Sequence, residues 1–566
     1  MWTRESRPNN MVINDPKGEL LVKNYVRGTV RGFTIVQFNL INPMKTDIYN
    51  PLALAAEAAR DGNSTKCAMY VENIAEVFFP VDGGEDPLWP NAANNAFKRA
   101  AYGLIDYYLE EEKEMRRIAS VKNTDKKVLE QKIDDMWGRV TLYNCYQLFV
   151  QMSSKKQLDP AHVVDDKIKQ AEADGHPLTD EQKEQEAIGA MERMPVWQGA
   201  KEADTLTLFF NATSMLPKNS MRTLVTNADN ALKAMGGAEK MLASVYGIAI
   251  TAMSFFTDPT ISTLTSGTIA QNVDLAGLSF PRRFGVRFHM DYLKAQHLVG
   301  MQCLWDAFED ENFEKSLGKD FLHEDTVSRE GWAKYFFKGC FKNEKAYVRL
   351  RIKDVGADML VKTFYFEFQK DYQTSYDGKT YMRDPVLGTR LVKNGFLTEL
   401  IKVKRKDGTV VFKKHPSTFD KDTVTNLIEA AEKLEEMPEA ERDEARAGIL
   451  ERKMVKTNIF TSLSAKYQEK CKMVFLVTPP HLMKYAKLIL ILIKQLVDLN
   501  FDQSYMTKSN QKPLYKTRYM LDELGNLQSE GHGISGFETM LSIGLGQEQQ
   551  FTLILQTLQQ LKLSYC

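Results

Sequence analysis

No Cys-x-x-Cys pair occurs anywhere in this chain of 566 residues, whose six cysteines (Cys67, Cys145, Cys303, Cys340, Cys471 and Cys566) lie far apart. That spacing speaks against a zinc cluster and a disulfide framework and reads as reduced, intracellular thiols. The eight histidines give no HxxxH or HExxH spacing, so a helical zinc site lacks its ligand pair. Neither sign of charge is in excess, with 74 basic and 74 acidic residues, so no global basic field argues for nucleic acid and any such binding has to be local. Long apolar runs are missing too. The longest, 488–493, falls far short of the roughly 20 residues that span a bilayer, and residues 1–10 are too polar for a signal peptide. The chain reads as soluble or peripheral, with length for roughly two to four domains.

What is present is organised around 518–527, RYMLDELGNL. The apolar run Tyr519-Met520-Leu521 ends abruptly in two carboxylates, Asp522 and Glu523. A buried strand that delivers two adjacent acids at its tip is the Walker B arrangement: the first acid holds Mg²⁺, directly or through water, and the second polarises the attacking water. A strand ending in a solvated turn gives the same local pattern, so the acids alone do not decide. The next apolar run, 551–555, ends in Gln556. In phosphoryl-transfer folds a Gln at that place can contact the γ-phosphate or its attacking water. Two parallel strands with Asp-Glu and Gln at their tips fit the rule that open α/β sheets act at the carboxyl ends of their strands.

From the N-terminus, a strand is expected at 11–14, stopped by Pro16, which lacks a ladder donor, and Gly18, which permits a tight turn. A second strand, 33–38, leads into Asn-Pro loops at 42–43 and 50–51. Helices are expected at 52–60, 67–79 and 91–116. Residues 124–156 are amphipathic and helical; 157–202 are rich in Asp, Glu, Lys and Gln with few apolar anchors, which reads as a solvated helix or linker. Helical patterning returns over 205–253. Over 280–416 the period switches to two, and 401–405 and 409–413 flank Lys406-Asp407-Gly408, a hairpin signal. Arg349, Arg351, Lys402, Lys404 and Arg405 lie on these strands, where they can meet nucleic acid or simply form a solvated face. A charged helix over 423–454, broken at Pro438, precedes a buried strand at 471–477 that ends in Thr478-Pro479-Pro480. A helix at 481–499, apolar on most faces, follows.

DPKGEL at 15–20, NLINP at 39–43, YNPL at 49–52, WPNAANNAF at 89–97, LVTPPHLMKYAKLI at 476–489, LDELGNL at 521–527 and FTLILQTLQQL at 551–561 occur in this order. As a set they resemble the type IV secretion coupling proteins, the ATPases of conjugative DNA transfer, in a Gram-positive-type branch. The resemblance implies an α/β fold: a RecA-like P-loop NTPase sheet, here incomplete, interrupted by an all-α region and an antiparallel β-domain. That family carries a Walker A loop, GxxxxGK[ST], upstream of DPKGE, and no such loop occurs here. Gly378-Lys379-Thr380 has Gln at position 373 where the loop needs Gly. The chain is therefore expected to be a fragment, truncated at both ends, and as given to hydrolyse no ATP. Where many members have basic residues before the Gln strand, 544–550 contain no Arg.

The expected domains are 1–123 and 417–566 for the two parts of the ATPase, 124–279 for the helical insertion and 280–416 for the β insertion. The implied cofactors are ATP and Mg²⁺, with Asp522 on the metal, Glu523 as catalytic base, and Gln556 as γ-phosphate sensor. Asp15, Lys17 and Glu19 are expected near the nucleotide. The implied partners are a relaxase–DNA complex, single-stranded DNA and the secretion channel proteins, for a homo-hexamer at the cytoplasmic face of the membrane. The competing reading is a non-catalytic adaptor that docks a relaxase or substrate protein and keeps a vestigial nucleotide site.

Overall fold

The computed structural model describes residues 9–80, 88–122, 125–158, 170–175, 178–179, 182–183, 185, 202–234, 239–267, 271–356, 359–371, 385–394, 400–404, 410–414, 459–502, 505, 512–527, 533–534, 536–557 and 559. The expected helix at 423–454, Arg405 and the Gly378-Lys379-Thr380 segment lie outside the described residues, as does most of 157–202.

Five strands form one parallel sheet: β1 (Asn9–Asn14), β2 (Thr34–Asn39), β3 (Lys472–Val477), β4 (Lys516–Leu521) and β5 (Gln549–Leu553). Their order is β5-β4-β1-β3-β2, so the N-terminal strand is central and both ends of the chain build the same sheet. All four pairings are parallel, with Asn14 opposite Leu476 on one side and Leu521 on the other. Near-continuous apolar runs are what a parallel sheet covered on both faces requires, and every residue of β3 is buried. Within each strand the side chains alternate between two layers. Val12, Val474, Leu476, Tyr519 and Leu521 face the large helical core. Ile13, Met473, Phe475 and Val477 face the other way and pack with Leu21 of helix Glu19–Val30.

The helix Ala486–Phe501 runs through the large core, buried around almost its whole circumference. A short 3₁₀ segment, Pro480–Tyr485, precedes it where a continuous helix from 481 was expected, with the break at Leu482, whose φ of −109° and ψ of 19° are not helical. The buried Gln495 amide of helix Ala486–Phe501 is satisfied: Tyr49 Oη donates to Gln495 Oε1 at 2.7 Å and Gln495 Nε2 donates to the Pro51 carbonyl at 2.9 Å. The helices Ser64–Phe78, Leu88–Lys122, Thr205–Met215, Ser220–Ala234 and Glu239–Met253 complete this layer. The polar stretch between the helical segments is bracketed by a two-stranded ribbon, Lys156–Leu158 against Glu202–Asp204.

The period-two region forms two larger antiparallel sheets and a separate two-stranded ribbon. One orders Val386–Asn394, Met359–Asp371, Lys345–Asp354, Gln302–Phe308 and His323–Thr326; the other orders Phe460–Tyr467, Arg282–Phe288 and Trp332–Phe336. They share a core rich in aromatics, including Phe284, Phe288, Trp305, Tyr335, Phe364 and Phe366. The strand Phe460–Tyr467, which pairs with Arg282–Phe288, comes from beyond residue 416. Strand Leu400–Lys404 pairs antiparallel with Val410–Lys414, with Lys404 opposite Val410, while the expected turn residues Lys406-Asp407-Gly408 lie outside the described residues. Arg349 and Arg351 are not a free cationic edge. Both lie on the strand beside Asp306, and Arg349 grips that carboxylate with contacts of 3.0 and 2.5 Å while Arg351 lies 3.4 Å from it.

His323 is buried in this region against Tyr335 and Phe336. Burial holds its pKa down, from an ordinary 6.5 to about 4. The unfolded chain therefore binds this proton more readily between those two values. The stability His323 permits is fully present above pH 6.5 and is lost as pH falls from 6.5 to 4, by about 3 kcal/mol in all. A His323→Phe variant should show a shallower loss of stability over that window in denaturant titrations; an unchanged slope would contradict the assignment.

Candidate functional site at the carboxyl edge of the parallel sheet

Because all five strands run the same way, their C-terminal tips share one edge. There the sheet gathers Asn14 and Asp15 (β1), Asn39 (β2), Thr478 (β3), Asp522 and Glu523 (β4), and the residues that follow β5. Asn14, Asp15, Asn39 and Thr478 are buried although polar, an unusual density of polar groups for the margin of an apolar core.

After β1 the chain turns through Asp15-Pro16-Lys17-Gly18. Asp15 still pairs with β3, its N–H donating to the Leu476 carbonyl at 2.9 Å, and Gly18 N–H closes the turn on the Asp15 carbonyl at 3.1 Å. Gly18 has φ +73°, and a Cβ there would stand 3.3 Å from Ile41 Cδ1 and 3.4 Å from Val477 Cγ1. Gly18→Ala is expected to cost about 1–2 kcal/mol of stability, read as a lowered thermal midpoint; an unshifted midpoint would mean that the turn relaxes freely. The turn feeds the N-terminus of helix Glu19–Val30, where Asp15 Oδ2 accepts the Leu21 N–H at 2.8 Å. Asp15 therefore acts on the helix, satisfying one of its orphan donors.

The three expected residues of this motif consequently divide. Asp15 is 3% exposed and committed to the helix. Glu19 lies on the helix surface and pairs with Lys23 at 3.1 Å. Lys17 alone reaches the acids: its Nζ is 3.9 Å from Glu523 Oε1, with the lysine side chain 66% exposed and that of Glu523 18% exposed. A pair so open to water contributes little stability, which leaves the lysine free to follow an anion.

The acid pair itself is held tightly. Beyond β4, the Ile554 N–H donates to the Leu521 carbonyl at 3.0 Å and the Leu524 N–H to the Ile554 carbonyl at 3.1 Å, so β5 clamps the turn from one side. Leu524 and Leu527 anchor it in the core. Asn14 holds it from the other side, its Nδ2 donating to the Asp522 carbonyl at 2.6 Å. Glu523 adopts φ 50°, ψ 46°, the left-handed region, and its N–H donates to Asp522 Oδ1 at 3.0 Å. A non-glycine residue there is uncommon and carries strain of the kind that gathers at functional sites. The ionised carboxylate of Asp522 has acceptor capacity beyond that one bond.

Gln556 lies past the end of β5, which as a strand ends at Leu553 rather than at the expected 555. It is exposed, on the same edge as the acids, and among the described residues makes no hydrogen bond to either of them. The sequence reading passed over Asn14. Its only signal was a polar residue closing a buried apolar strand directly before the Asp-Pro turn. Among the described residues no three His, Cys, Asp or Glu side chains cluster as a metal cage. A divalent ion at Asp522 would rely on one or two carboxylates plus water and phosphate oxygens, which is how Mg²⁺ is ordinarily held. A cleft of about 390 Å³ between the helical layer and the β-rich region has a lining that includes Arg60, Glu112, Arg116 and Glu130. Ion pairs join these four, and the cleft is lined by none of the strand-tip residues.

The open parallel sheet and the separate antiparallel sheets define a mixed α/β protein, with an acid pair at the carboxyl edge of the parallel sheet. Residues 6–269 match the family described as type IV secretory system conjugative DNA transfer, a match that supports assignment to the type IV secretion coupling proteins. The match covers β1, β2 and most of the helical region and ends well before Asp522. A search of curated proteins finds no match. Among the described residues no helix is long and apolar enough to cross a membrane.

Proposed function

We propose that the family's role in conjugative DNA transfer is exercised here through a metal–nucleotide site at the carboxyl edge, within a P-loop-type sheet that drives delivery of a DNA–relaxase substrate to the secretion channel. The observation that carries this is the acid pair: two consecutive carboxylates at the tip of a parallel strand, the second in a left-handed conformation and fixed by its neighbours. Asp522 would hold Mg²⁺, which when bound neutralises phosphate charge, and ATP would supply the phosphates. In this reading Glu523 would accept a proton from water, Gln556 would meet a terminal phosphate, and Lys17 would leave Glu523 for an anion. A homo-hexamer at the cytoplasmic face of the membrane, acting on a relaxase carrying single-stranded DNA, is the assembly this reading implies.

One sequence fact favours the adaptor reading: no GxxxxGK[ST] occurs in the chain, and acids alone do not provide the N–H cradle and Lys that hold phosphates. A mating assay separates the two. In a transferable element whose coupling protein joins this chain to a segment bearing GxxxxGK[ST], Asp522→Asn and Glu523→Gln should each lower transfer frequency by ~10³-fold or more, at unchanged protein level. Transfer at the parental frequency in both variants would leave the adaptor reading standing and the catalytic one rejected.

A further inference from the structure

We propose that Asn14 is the positioning residue of the acid pair: its amide holds the peptide between Asp522 and Glu523 in the one orientation that keeps Glu523 left-handed. The inference rests on the reading of Asp522 and Glu523 as a metal-binding edge, but its geometry stands apart from that reading.

The argument begins with a backbone identity. Rotating the peptide plane between residues 522 and 523 changes ψ of Asp522 and φ of Glu523 together, so whatever fixes the Asp522 carbonyl also fixes φ of Glu523. Left free, an L-residue relaxes out of the left-handed region, where its Cβ crowds the backbone. At Glu523 both faces of the plane are engaged. The carbonyl accepts from Asn14 Nδ2 at 2.6 Å and the N–H donates to Asp522 Oδ1 at 3.0 Å. The second bond comes from within the turn and can rotate with it. The first comes from outside, from the last residue of the central strand, whose backbone is locked in register between Leu476 and Leu521. Asn14 is therefore the fixed reference.

Asn14 also carries a cost that its role explains. It is 1% exposed, and its Oδ1 is buried without a hydrogen-bond partner. A buried unpaired acceptor destabilises the fold, and an apolar side chain at the end of this apolar strand would avoid it. The amide is the only part of the side chain that does something an apolar residue cannot. Asn10, at the other end of the same strand, shows the contrast. It is equally buried, but both ends of its amide are used, on the Leu278 carbonyl and the Lys472 N–H, far from the acids.

The test uses the full chain with Asn14→Leu and Asn14→Asp, and Asn10→Leu as the structural control. Asn14→Asp keeps the shape and, read at a pH high enough to ionise the buried carboxyl, removes the donor, so it serves if the leucine variant folds poorly. Three readouts are taken: φ of Glu523 in crystals, hydrogen exchange of the amides of 521–527, and Mn²⁺ affinity by electron paramagnetic resonance with Mn²⁺ as the only added ligand. In both Asn14 variants Glu523 should leave the positive-φ region, exchange should rise, and Mn²⁺ affinity should fall roughly tenfold or more, as for other residues that orient a metal ligand. Asn10→Leu should lower the melting temperature and move none of the three. Glu523 keeping its positive φ, with unchanged exchange, in both Asn14 variants overturns the proposal. If φ and exchange shift but the parent chain binds no Mn²⁺, the positioning role stands and the metal reading falls. If Mn²⁺ binds and is lost in Asp522→Asn but not in the Asn14 variants, the metal reading stands and the positioning role falls.

Discussion

Arg99→Ala is expected to destabilise the helical layer by about 3–5 kcal/mol, the range for stripping one partner from a buried ion pair. Arg99 is 2% exposed inside helix Leu88–Lys122. Its guanidinium donates to Asp229 Oδ1 and to Tyr246 Oη, each at 2.5 Å, and lies 4.0 Å from the centre of the Phe210 ring. One residue thus ties together three further helices. Its removal leaves the Asp229 carboxylate, 5% exposed, with the half-exposed Lys233 at 2.7 Å, which offsets part of the loss and points to the lower end of the range. Arg99→Lys should recover little, because an ammonium cannot bond two acceptors in the plane of a fork while stacking on a ring. The double variant Arg99→Leu with Asp229→Leu should recover most of it, since both buried charges go together. Denaturant titration of the four proteins checks this; a double variant no more stable than Arg99→Ala would show that packing around the guanidinium, not charge burial, sets the cost.

Asp522→Asn should weaken Mn²⁺ binding by ~10²-fold or more, because an ionised carboxylate is replaced by a neutral amide at a site with at most two carboxylates to offer a hard cation. Glu523→Gln should behave differently. That carboxylate faces Lys17 at 3.9 Å, so its charge is partly answered already, and Mn²⁺ affinity should change by no more than about threefold. Lys17→Ala should raise affinity modestly, by removing a cation that competes for the same edge, and this gain should shrink as salt rises. Equal losses for Asp522→Asn and Glu523→Gln would show that both acids are ligands, and the division of roles between them would have to be redrawn.

The parallel sheet was legible in the sequence because its strands are buried on both faces and so appear as short unbroken apolar runs. Strands expected at 11–14, 33–38, 471–477, 519–521 and 551–555 are the five observed, each displaced by one to three residues at one or both ends. Their common direction then brings Asp522, Glu523 and Asp15 to one edge without further information. Other features depended on partners distant in the chain. The alternation around Arg349 and Arg351 resembled a solvated face because nothing nearby in sequence says that Asp306 stands opposite. The strand Phe460–Tyr467 pairs with residues about 175 positions earlier, a contact no local pattern encodes. The left-handed Glu523 was illegible for another reason: residue type favours that conformation only for Gly and, weakly, Asn and Asp. Here an external hydrogen bond from Asn14 imposes it.

The central claim, that Asp522 at the carboxyl edge of the parallel sheet is a metal ligand, is tested most directly by anomalous diffraction from crystals of the full chain soaked in Mn²⁺ with a non-hydrolysable ATP analogue. The expected result is one strong Mn²⁺ peak about 2.1 Å from a carboxylate oxygen of Asp522, with water or phosphate oxygens completing the shell. A map in which Asp522 binds no ion, with Lys17 still against Glu523, would contradict it.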